Sequence, residues 1–75
     1  MDLNTTSKLR KSIDSLLVSK RWSYTDLAAE SGVSYSTIYK FQTKNTDNLT
    51  IASIESIAKA FGMTVTGLIN RGAKS

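Results

Sequence analysis

An all-α domain of five short helices is the fold class this sequence predicts. Apolar residues recur at spacings of three and four in successive stretches. Ser, Thr and Gly stand at the edges of those stretches, where helices start and stop. No segment carries a strand signal, and no proline occurs. A chain of 75 residues suffices for one small domain over 1–75, with an ordered core at about 6–70 and a frayed tail at 71–75.

The first helix is expected from about Thr6 to Lys20. Leu9, Ile13, Leu16 and Leu17 form its apolar face, and Lys8, Arg10, Lys11 and Asp14 fall mainly on the other. Arg10 and Lys11 read as a solvated helix face, with Arg10 also a candidate for a phosphate. Lys20 and Arg21 stand where the helix dipole favours cations, and Trp22 anchors the following loop in the core. Ser23 and Asp26 have the spacing of a capping box for the second helix, whose inward residues are Leu27 and Ala28. Gly32 ends that helix in the left-handed conformation, and Val33 is an apolar plug in the turn. Ser34 caps a third helix, Tyr35 to about Gln42, with Ile38 and Phe41 inward.

The stretch TKNTDNL at 43–49 reads as a polar loop. Thr50 caps a fourth helix, Ile51 to Phe61, whose stripe is Ile51, Ile54, Ile57, Ala58 and Phe61. Gly62 terminates it, and Thr64 caps a fifth helix, Val65 to about Asn70. Residues 23–42 therefore read as two helices joined by a tight turn at Gly32-Val33-Ser34. That is the pattern of a helix-turn-helix, whose second helix enters the DNA major groove.

Composition narrows the function classes. Net charge is +4 and the pI is about 9.6, which suits a polyanionic partner without demanding one. Absence of cysteine and histidine excludes disulfides, thiolate nucleophiles, zinc fingers and imidazole bases. Asp26 and Glu30 are spaced i, i+4 but sit in an exposed helix pattern that implies no cleft. No catalytic residue, cofactor, metal or small-molecule ligand is expected. No apolar run approaches the ~20 residues of a membrane span, so a soluble cytoplasmic protein is the expectation.

The segment LAAESGVSYSTIYKFQTKN resembles the core of the Cro and phage-repressor (XRE) type of helix-turn-helix. NLTIASIESIAKAFGMTVTGLI is similar to the fourth and fifth helices of that family. The resemblance covers about residues 8–70 and implies a five-helix, lambda-repressor-like DNA-binding domain. It departs at Tyr24, where many members have Gln, at Leu49, where proline is frequent, and at Tyr35, where Gln or Arg is common. The first and third departures bear on the operator sequence, not on the fold.

Carried across residue by residue, the resemblance implies base reading by Tyr35, Ser36, Thr37, Tyr39 and Lys40. It implies phosphate contacts at Tyr24 and Thr25, and at Thr43, Lys44 and Asn45 just past the third helix. Lys40 either donates to guanine or neutralises a phosphate. The tyrosine rings suit thymine methyls, and their hydroxyls suit bases or phosphates. Met63, Val65, Leu68 and Ile69 either form a dimer interface or close the monomer core.

The favoured function is a sequence-specific, phage- or prophage-type transcriptional repressor. It would bind a near-palindromic operator in double-stranded DNA as a homodimer, formed in solution or only on DNA, with recognition helices about 34 Å apart. A restriction-modification controller or an autoregulating antitoxin shares the fold. A protein-interaction module that has lost DNA binding is the reading from another class.

Overall fold

The computed structural model describes residues 3–44 and 49–73, and within them five helices and no strand. These are α1 (Leu3–Lys20), α2 (Tyr24–Ser31), α3 (Tyr35–Lys44), α4 (Ile51–Ala60) and α5 (Val65–Ala73). α1 packs along α5, and α2 lies against both α3 and α4.

One apolar cluster joins all five helices. α1 contributes Leu9, Ile13, Leu16 and Leu17; α2 contributes Leu27; α3 contributes Ile38 and Phe41. Ile54, Ile57 and Ala58 come from α4, Phe61 follows it, and Leu68 comes from α5. Leu49, expected in a polar loop, is also buried there. Trp22 stacks on Phe61 with ring centroids 5.6 Å apart, which fixes the α1–α2 corner on the end of α4.

Two helices end in the same motif with different residues. After α4, Gly62 is left-handed at φ 72°; its N–H donates to Lys59 O and the Met63 N–H to Ala58 O, both at 2.9 Å. After α1, the left-handed position is taken by Arg21 at φ 57°; its N–H donates to Val18 O at 3.2 Å and the Trp22 N–H to Leu17 O at 2.9 Å. Both are Schellman caps, a motif that usually selects glycine.

Several expectations need correction. α1 starts at Leu3 rather than Thr6. α3 extends through Thr43 and Lys44, so these two residues belong to its last turn and not to a following loop. Ile51, expected on the inward stripe of α4, is 61% exposed in the first turn, ahead of the residues that meet the core. α5 runs to Ala73, past Asn70, through residues expected to fray. Gly72 lies so close to α1 that a Cβ on it would fall onto the Lys8 carbonyl. Buried Ser12 has a hydroxyl without a hydrogen-bond partner.

Candidate nucleic-acid interface

The helix-turn-helix is built by local capping chemistry. Ser23 is the N-cap of α2: its Oγ accepts from the Asp26 N–H at 3.2 Å, and its own N–H donates to Asp26 Oδ2 at 2.9 Å. Gly32 is left-handed at φ 76° and its N–H donates to Ala28 O at 2.9 Å, closing the helix. Ser31 stiffens the turn, since its Oγ donates to Leu27 O and accepts from the Val33 N–H. Ser34 then starts α3, accepting from the Thr37 N–H at 3.2 Å and donating to Thr37 Oγ1 at 2.7 Å.

Burial of Ile38 and Phe41 fixes which way α3 faces. Tyr35, Ser36, Tyr39, Lys40, Thr43 and Lys44 are exposed, whereas Thr37 is half-buried. Thr43 Oγ1 donates back to Tyr39 O at 2.6 Å, which commits its proton to the helix. Asn45 lies outside the described residues. At the start of α2, the Tyr24 and Thr25 amides precede the first intrahelical bond, from the Leu27 N–H to Ser23 O at 3.1 Å.

Three tyrosines meet on this face. The Tyr35 and Tyr39 rings stack with centroids 5.9 Å apart at 18°. The Tyr24 ring makes T-shaped contacts with both, at 6.5 Å and 63° and at 6.1 Å and 81°. Burial first, and then the Asp14 carboxylate and the electrostatic influence of Tyr39 and Tyr35, push the Tyr24 hydroxyl above its ordinary pKa. It is therefore a neutral phenol at physiological pH.

The end of α3 is tied to α1. Arg10 Nε donates to Phe41 O at 2.7 Å, and its guanidinium lies 4.7 Å from the Phe41 ring centroid. Gln42 Nε2 donates to Arg10 O at 3.2 Å and to Asp14 Oδ1 at 3.1 Å. Arg10 is thus a clamp on α3, not merely part of a solvated face. The sequence signals nothing of this clamp, because its partners are 31 and 32 residues apart. Tyr35 and Tyr39 share a face by their i, i+4 spacing, but their meeting with Tyr24 depends on how α2 and α3 cross.

The proposed dimer residues separate into two sets. Leu68 is 0% exposed and belongs to the monomer core, so it has no surface to offer a partner. Met63, Val65 and Ile69 are half-buried, packed on the core with part of each side chain outside. Among the described residues no helix is long and apolar enough to cross a membrane.

The family model for the Cro/C1-type HTH DNA-binding domain matches residues 12–73. No curated protein and no solved structure matches the chain.

Proposed function

Since the chain belongs to the Cro/C1-type helix-turn-helix DNA-binding family, we propose that it is a cytoplasmic, phage-type transcriptional repressor of a near-palindromic operator. The observation that carries this reading is the posture of α3. Its apolar residues Ile38 and Phe41 are buried, and Tyr35, Ser36, Tyr39 and Lys40 stand exposed along its other side. An α-helix held in this way fits the major groove of B-DNA, which is about 12 Å wide.

In this reading Tyr35, Ser36, Thr37, Tyr39 and Lys40 meet base edges. The Tyr24 and Thr25 amides, at the positive end of α2, receive one phosphate. Lys44 neutralises a second, with Thr43 beside it. A second copy of the chain binds the other half-site, through a surface that includes Met63, Val65 and Ile69. Occupancy of a promoter then excludes polymerase.

Selection of binding sites from random duplexes, read by sequencing, tests the proposal. Two inverted half-sites centred about 10 base pairs apart are the expected result. Absence of any enriched sequence, together with no binding to duplex DNA at ~50 mM salt, would refute it.

A further inference from the structure

We propose that Tyr35 and Tyr39, held in place by Tyr24, form an aromatic surface that reads the 5-methyl group of thymine, so that operator affinity depends on that methyl. The inference rests on the reading of α3 as the DNA-reading helix and specifies what it reads.

α3 has few charged or amide side chains free to read bases. Guanine is usually read by Arg or Lys, and adenine by Asn or Gln. α3 contains no Arg and no Asn. Its one amide side chain, Gln42, is directed to Arg10 O and Asp14 Oδ1 on α1 instead of outward. Lys40 and Lys44 are its only cations.

Its apolar capacity is high. Tyr35 is 48% exposed and Tyr39 40%, and both rank among the exposed large hydrophobic side chains of the described residues. Apolar area displayed on a reading helix has one apolar counterpart on the base edges of the major groove, the thymine methyl. The rings are also prearranged. Each packs on the other and in T-shaped contact with Tyr24, so little rotamer freedom remains to be lost on binding. Tyr24 is a positioning residue, acting through the two rings that touch the base.

Replacing thymine by deoxyuridine in the selected operator tests this, because the substitution removes the methyl and keeps every hydrogen-bonding group. Each half-site position is exchanged in turn and affinity is measured with the unaltered protein. At one or two positions per half-site, affinity should fall about fourfold, the size expected for one buried methyl. Tyr35→Ala or Tyr39→Ala should abolish the thymine-to-uracil ratio at its own position. Tyr24→Ala should shrink that ratio without changing helical content, a readout that a purely structural role would not move.

If the protein still selects its operator but binds thymine and uracil duplexes equally, this inference fails and the proposed function stands. A selected half-site without thymine has the same consequence. If no site is selected at all, both fail.

Discussion

Glycine and its substitutes set the corners of this fold, and each corner has its own physical cause. Gly32 faces open space, with no atom within 4 Å of where a Cβ would sit, so only its positive φ resists substitution. Gly32→Ala should therefore cost about 1 kcal/mol, seen as a lowered Tm with unchanged helical content. Gly72 is different. Alanine there would gain about 1 kcal/mol of helix propensity, but its Cβ would meet the Lys8 backbone carbonyl, which cannot rotate away. The clash wins, and Gly72→Ala should destabilise by about 2 kcal/mol or more in urea titration. Arg21→Gly should act in the opposite direction, because the left-handed cap after α1 already has the shape that glycine prefers. A gain of about 0.5–1 kcal/mol, or a few degrees in Tm, is expected. Cap residues such as Ser23, Gly32, Thr50 and Gly62 are legible in the sequence because their chemistry acts over three or four residues. Arg21 is not, since a left-handed arginine carries no local signature.

At the scale of the element, periodicity identifies the inward face of a helix but not how far its neighbour extends. Spacing alone puts Ile38 and Phe41 in the core, where they lie, whereas Ile51 has the right phase and falls beyond the packed region. The outward face of α3 is legible for the same reason as its inward face. The lateral ties from Arg10 and Gln42 are not, because they depend on the docking of α1 against α3. Lys40→Ala separates two roles on that outward face. A base reader would lose about 1–3 kcal/mol on the operator alone. A phosphate contact would weaken all sequences similarly and make the salt slope shallower by about one unit. Unchanged binding in fluorescence anisotropy across a salt series would exclude both roles.

For the whole molecule, size bears on the proposed stoichiometry. The Cα envelope measures 26 × 22 × 20 Å, and recognition helices on successive major grooves stand about 34 Å apart. One copy has the size for one half-site, so the proposed near-palindromic operator would take two. Sedimentation of the protein with its operator should give two chains per duplex. Ile69→Glu should reduce operator affinity at least tenfold, about 1.4 kcal/mol, with the protein still folded by circular dichroism, if the half-buried face of α5 joins the copies. Binding equal to that of the unaltered protein would move the interface elsewhere. Five helices and their shared core are legible from spacing and caps alone. The division of the α5 residues into a buried Leu68 and outward-reaching neighbours requires α1 to be docked on α5.

If α3 reads DNA as proposed, the Arg10 clamp would give a residue on α1 influence over specificity. Its guanidinium holds the far end of α3 at the Phe41 carbonyl and ring, a stay added to the buried Ile38 and Phe41 that seat the helix. Changing the stay would shift the side chains of α3 together. On the proposed function, new operator preferences would then arise by adjusting the mounting, with the reading residues themselves untouched.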